Sequence, residues 1–251
     1  MLKLTTTRLG PLVARVVSAE TVAAETVAAD ALTVVLCHGY GAPGTDLCGI
    51  AGEVLAQKPA LASRVRFRFP EAPLELDFVP FGGRAWWHID VGRFERALAT
   101  GEMERLFDET PEGMPQARKA LAAALDAWCA STGTPRSRLL LGGFSQGSMI
   151  TTDLALRLEE APAALAIFSG TLLCRPEWTR LAPARRGLKV LQSHGTNDPL
   201  LPYPAALELK GLLEGAGLDV RFLSFPGGHG LDGEVIEAFA ELVEQCAGGE
   251  A

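Results

Sequence analysis

The stretch that decides the reading is Leu139–Ile150, "LLLGGFSQGSMI". Three leucines run into two glycines, a serine stands between Phe144 and Gln146, and the chain then turns apolar again. A buried strand end does not need a polar side chain, and a plain connecting loop does not need Gly-x-Ser-x-Gly. A strand, this pentapeptide and a helix together put the serine in a strained tight turn, with small neighbours that let strand and helix approach. Such a turn lifts Ser145 Oγ above the sheet edge, beside helix N-terminal N–H groups that can meet a developing oxyanion. The pentapeptide alone is a weak signal; the flanking strand and helix carry the expectation that Ser145 is a nucleophile.

A nucleophilic serine needs a base, and the base needs an acid to orient it. In sheets built around such a turn the chain order is Ser, then Asp or Glu, then His. Downstream of Ser145 only His194 and His229 are available. His194 sits inside a strand end, "LQSHG", and reads as structural. His229 follows the last strand in "FPGGHGLDG", a polar loop with the freedom to receive and return a proton, and is the better base. Asp198, in "SHGTNDPLLP", is the acid best placed between them, although an Asx turn alone would account for an aspartate before Pro199. Asp153 falls inside the helix after Ser145, and Asp219 opens a strand at the wrong end. The oxyanion also needs a donor from an early loop. "LCHGYGAPG" (Leu36–Gly44) supplies it, so the expected donors are the backbone N–H groups of Tyr40 and Gln146, with His38 shaping the loop.

Working outward, short apolar runs alternate with amphipathic stretches. The segments 32–39, 64–70, 137–143, 163–170, 188–195 and 220–228 read as strands, most ending in Gly or Pro. Helical spacing joins Ala117, Leu121, Ala124, Leu125 and Trp128, and the segments 146–159, 204–214 and 233–246 behave likewise. Continuous apolar strands between helices imply an α/β class with a mainly parallel central sheet and helices on both faces. Ligands then bind at the carboxyl ends of the strands. One domain spanning 1–251 is the expectation, with 71–113 a long loop or lid-like segment holding no clear βα unit, and 19–30 a surface connection between early strands.

Hydrophobic residues make up 48% of the 251 and charged residues 21%, enough for a large core. A net charge of −7 opposes nucleic-acid binding and docking on anionic membranes. The five cysteines form no C-x-x-C, so neither a metal site nor a disulfide framework is expected, and no cofactor is implied. No leader pattern and no membrane-length apolar run is seen, which leads to an expected cytoplasmic location without stable membrane insertion.

"VVLCHGYGAPGTDL", "AWWHID", "LLLGGFSQGSM", "LAIFSGTL", "LQSHGTNDPLLPY" and "PGGHGL" together resemble the carboxylesterase, lysophospholipase and acyl-protein thioesterase family of α/β-hydrolases. The resemblance implies an α/β-hydrolase fold and an intracellular, metal-independent serine esterase with a triad at Ser145, Asp198 and His229 and oxyanion donors at Tyr40 and Gln146. Three departures bear on substrate. Tyr40 puts an aromatic at the oxyanion position of a loop lacking the usual Asp, Ser148 replaces a common Gly, and 91–110 is unlike the family.

The expected substrate is a small ester or thioester, with self-association as a homodimer left open. Leu74, Phe81, Trp86, Trp87, Leu172, Leu173 and Trp178 are the candidate pocket residues. In an extended segment Trp86 and Trp87 would point to opposite sides, one to core and the other to pocket or surface. Two rivals keep the fold: a scaffold that binds a small ligand without turnover, and a hydrolase of amides or peptides.

Overall fold

The computed structural model describes residues 2–19, 31–79 and 82–248. Among the described residues ten strands follow one another: β1 (Leu2–Leu9), β2 (Leu12–Ala19), β3 (Leu32–Cys37), β4 (Val65–Pro70), β5 (Leu74–Glu75), β6 (Arg84–Ala85), β7 (Leu139–Phe144), β8 (Ala164–Phe168), β9 (Lys189–Gly195) and β10 (Asp219–Phe225). The helices are α1 (Cys48–Gln57), α2 (Val91–Thr100), α3 (Met103–Asp108), α4 (Met114–Thr132), α5 (Gln146–Arg157), α6 (Arg175–Leu181), α7 (Tyr203–Gly215) and α8 (Gly233–Gly248). Eight strands form one sheet in the order β1-β2-β4-β3-β7-β8-β9-β10, and β5 and β6 form a separate ribbon. From β4 to β10 the sheet is parallel. The β1–β2 hairpin adds an antiparallel edge through β2 on β4.

The continuous apolar runs are explained by cover on both faces. β3 and β8 are buried along their whole length. Successive residues feed opposite cores: Val35, Leu141 and Ile167 pack with α4 and α5 on one face, whereas Val34, Leu140 and Phe168 pack with α1 and α8 on the other. α4 shows the expected stripe, with Ala117, Leu121, Ala124 and Leu125 buried and Gly133 ending it at φ 69°.

From β3 the chain steps outward to β4 and then returns to β7 on the other side of β3, so the direction of winding reverses between these neighbours. The loops after β3 and β7 lead to helices on opposite faces, which opens a crevice at their carboxyl ends. Tyr40 and Ser145 lie in those two loops.

The segment 71–113, expected as a long loop or lid-like segment, holds the β5–β6 ribbon, α2 and α3. Asp90 caps α2 by accepting from Arg93 N at 2.8 Å, and Gly101 closes it at φ 72°. The sequence does carry these punctuation marks, Asp before the helix and Gly after it, within a short segment of low overall hydrophobicity. The edge strand β1 also went unread, because six of its eight residues are exposed and leave no apolar run. The connection expected at 19–30 lies, after its first residue, outside the described residues.

Candidate active site

Ser145 occupies the turn between β7 and α5 at φ 52° and ψ −121°, a conformation that L-residues rarely adopt. Its N–H donates to Phe168 O at 2.8 Å, and its carbonyl accepts from Ser148 N at 3.0 Å and Met149 N at 3.2 Å. The turn requires glycine on both sides. A Cβ on Gly147 would lie 1.9 Å from Cys37 O, and one on Gly143 would lie 2.4 Å from the same atom. Strand β3, strand β7 and helix α5 thus meet at backbone contact, which is the physical content of the Gly-x-Ser-x-Gly spacing.

The N–H of Gln146 is the first of α5, where helices leave donors unpaired. Tyr40 N is likewise unpaired among the described residues, while the loop around it is fastened on every side. Gly41 N donates to Arg84 O at 2.8 Å, and Arg84 N donates to Ala42 O at 3.1 Å. Trp86 Nε1 donates to His38 O at 3.0 Å. His38 is buried and accepts from Ala72 N on Nε2 at 3.1 Å, which puts its proton on Nδ1, 2.9 Å from Gly39 O. Burial pushes this imidazole below its usual pKa, while the bond to Gly39 works the other way. His38 therefore shapes the loop and has no free nitrogen for catalysis.

The structure brings Asp198 and His229 together. His229 Nδ1 lies 2.7 Å from Asp198 Oδ2. Asp198 Oδ1 accepts from Leu200 N at 2.8 Å and Leu201 N at 2.9 Å, so the carboxylate makes an Asx turn with one oxygen and meets the imidazole with the other. Burial works to raise the Asp198 pKa, but hydrogen bonds from His194, His229 and Leu201 outweigh it and hold the carboxyl well below the usual range. The His229 loop is pinned by Asn197 N on Gly227 O at 2.9 Å and by Ser169 Oγ on Gly230 O at 2.9 Å. The imidazole leans on the ring of Phe144, next to Ser145, with centroids 4.8 Å apart. Asp153 is committed elsewhere: buried in α5, it holds Arg118 at 2.7 Å, Arg157 at 3.0 Å and Trp178 Nε1 at 2.9 Å.

A cavity of about 970 Å³ begins one helical turn beyond Ser145, at Met149, and runs between α4 and the α2–α3 segment. Leu74, Trp86, Trp87 and Leu173, four of the candidate pocket residues, lie on its wall. Trp86 and Trp87 are both buried, each less than 4% exposed, both line the cavity, and the segment is not extended there. The reason is Gln146. Its buried side chain accepts from Trp86 N at 2.9 Å and donates to Trp87 O at 2.8 Å, holding the pair in a bend instead of an extended run. Two candidates are not on the wall. Trp178 is fully buried, committed to Asp153, and Leu172 faces a separate depression beside α6 and α7. The chain turns at Ser169 (φ 47°) and Cys174 (φ 48°), and between them Thr171 and Leu173 face the cavity while Leu172 points away. Phe81 lies outside the described residues.

Sequence reasoning missed the Gln146 side chain, Ser169 as the tether of the histidine loop, and the approach of His194 to Asp198. For Ser169 and His194 the available signal was a polar residue at the buried end of an apolar strand; for Gln146 it was a polar side chain in the buried first turn of α5. Among the described residues no group of three His, Cys, Asp or Glu side chains could hold a metal ion, and no helix is long and apolar enough to cross a membrane.

A doubly covered, mainly parallel sheet with this turn at its carboxyl edge defines an α/β-hydrolase. The chain belongs to the phospholipase/carboxylesterase family, whose model matches residues 18–247. An acyl-protein thioesterase 1 of Eremothecium gossypii is 32% identical over 176 residues, 68% of this chain and 68% of that protein. An acyl-protein thioesterase 1 of Mycosarcoma maydis is 29% identical over 206 residues, 77% of this chain and 82% of its own. Among solved structures, esterase PE8 superposes with a TM-score of 0.74 at 25% identity, over 97% of this chain and 99% of that one. A carboxylesterase from Mesorhizobium loti, at 17% identity and a TM-score of 0.70 over 98% and 99% of the two chains, shares the fold. The protein is accordingly a carboxylic ester hydrolase.

Proposed function

We propose that the chain cleaves esters or thioesters of aliphatic acids through an acyl-enzyme on Ser145, with His229 as general base and Asp198 orienting it. The observation that carries this reading is the 2.7 Å contact of His229 Nδ1 with Asp198 Oδ2, beside a serine in a strained turn at a helix N-terminus. With its proton on Nδ1, His229 has Nε2 free to take the Ser145 proton and return it to the leaving group. Asp198, ionised and held by backbone N–H groups, stabilises the imidazolium formed on the way. The oxyanion would be met by Tyr40 N and Gln146 N, each such donor contributing about 3–4 kcal/mol in the transition state. Because the Tyr40 loop is fastened on both sides, these donors need little reorganisation. The acyl chain would enter the 970 Å³ cavity past Met149, and its largely apolar wall favours a hydrocarbon over a charged group.

A fluorophosphonate probe with mass mapping tests the chemistry. Labelling at Ser145 and its loss in Ser145→Ala are expected, with turnover of p-nitrophenyl esters falling about a millionfold. An unlabelled, folded wild-type chain would instead mark a scaffold that binds without turnover. Turnover indifferent to acyl length would remove the cavity from the reading.

A further inference from the structure

We infer that His194 is a positioning residue of the proposed triad, its Nε2–H shared between Leu201 O and Asp198 Oδ2 so as to hold the carboxylate ionised and aimed at His229. The inference rests on the assignment of Ser145, Asp198 and His229 above. His194 Nε2 lies 2.9 Å from Leu201 O and 3.2 Å from Asp198 Oδ2, the same oxygen that His229 Nδ1 meets at 2.7 Å. The side chains of His194 and Asp198 are both fully buried. The other ring nitrogen, His194 Nδ1, is buried without a partner among the described residues.

These contacts decide the tautomer. A proton on Nδ1 would be a buried donor facing nothing, whereas on Nε2 it faces two acceptors. His194 is then a donor, through Nε2–H, to a carboxylate already receiving two backbone N–H groups and His229. Each Asp198 oxygen takes two donors, its full complement of lone pairs, and a proton added to the carboxyl would have to displace one of them. The lowered Asp198 pKa agrees with this accounting, since the His194 bond works in the same direction as the His229 bond.

A donor on Oδ2 also withdraws charge from the bond to His229. His194 thereby moderates how strongly the coupled Asp198–His229 pair holds its proton, a property that a space-filling residue would leave untouched. The titratable groups facing this carboxylate are His194 from β9 and His229 from the loop before α8, and Tyr203 of α7 packs on the His194 ring with centroids 6.2 Å apart. No lysine or arginine pairs with Asp198 among the described residues. Leu201 links the arrangement to the cavity: its carbonyl receives His194, its N–H binds Asp198, and it lies on the cavity wall.

The test compares full-length wild type, His194→Leu and His194→Gln on a p-nitrophenyl ester, following kcat, KM and the pH profile of kcat/KM. The leucine variant should lose about 10–100-fold in kcat with KM little changed, the range typical of lost outer-layer orienting bonds. Its acid limb should move to higher pH by about half a unit, because the pair gains proton affinity. Glutamine, whose Nε2 can reach where the imidazole Nε2 stands, should restore most of kcat and return the limb. Equal losses in both variants with an unmoved limb would reduce His194 to a packing role and overturn the inference, as would an unimpaired leucine variant. Should the leucine variant not fold, 15N imidazole spectra of the wild type decide: a His194 ring protonated on Nε2 supports the inference, and one protonated on Nδ1 overturns it. Fluorophosphonate labelling separates the two levels. A wild type labelled at Ser145 with contrary His194 results sinks this inference alone, whereas an unlabelled wild type sinks the triad reading and this inference with it.

Discussion

Replacing Ser145 by glycine should leave the protein inactive and more stable than the Ser145→Ala variant. Ser145 holds φ 52° and ψ −121°, where the Cβ of any L-residue is crowded by its own backbone. Such a conformation costs about 1–3 kcal/mol and persists only because its surroundings impose it. Here the imposing contacts are Ser145 N on Phe168 O at 2.8 Å and the Ser145 carbonyl under the first turn of α5. Alanine keeps the Cβ and therefore the strain. Glycine removes it, but its freer unfolded chain gives back about 0.5–1 kcal/mol. The net gain over alanine is about 1 kcal/mol, or about 2–4 °C in Tm for a chain of 251 residues. Calorimetry and urea unfolding of the two variants measure it, alongside ester hydrolysis, which should be at background in both. A glycine variant that melts at or below the alanine variant would refute the claim that the turn stores strain for the sake of placing Oγ.

Gln146→Leu should destabilise the chain by about 2–4 kcal/mol in urea, because it strips partners from two buried backbone groups, Trp86 N and Trp87 O; a loss under about 1 kcal/mol would contradict the account of the tryptophan bend. Asp198→Asn should be less stable than wild type at pH 7. Because the native carboxyl is lowered below its unfolded value near pH 4, its stabilisation is complete above that pH and fades as the pH falls further, so the difference should shrink at pH 3. Urea midpoints at the two pH values check this, and an unchanged difference counts against it. Burial raises every cysteine thiol, Cys48 to about 11 and Cys37, Cys129, Cys174 and Cys246 likewise upward, so iodoacetamide at pH 7 should leave esterase activity intact. Rapid inactivation by the reagent would show a reactive thiol at the site.

The parallel strands were legible because burial on both faces leaves a strand no polar alternation, and β7 and β8 read as unbroken apolar runs and β3 as one interrupted only by Thr33 for that reason. The opposite condition hid β1, whose residues are mostly exposed at the sheet edge, whereas α2 carries both its boundary signals, Asp90 and Gly101, in the sequence. Trp178 and Leu172 show a further limit. Aromatic and aliphatic side chains clustered in sequence look alike whether they line a cavity or a core, and the difference here lay in Asp153 and in the backbone turns at Ser169 and Cys174.

By itself the sequence determined which groups are present and in what order: a serine between glycines that must be small, an aspartate after one strand and a histidine after the next. Local sterics decide such features, so they can be read from neighbours in the chain. Only the tertiary structure decided their distances. Parallel pairing of β9 with β10 sets Gly195 beside Phe225, so the loops bearing Asp198 and His229 leave the sheet at the same edge, 31 residues apart in sequence and 2.7 Å apart in space. The same holds for His194 and for the tryptophan pair, whose orientations depend on partners far along the chain that no local pattern names.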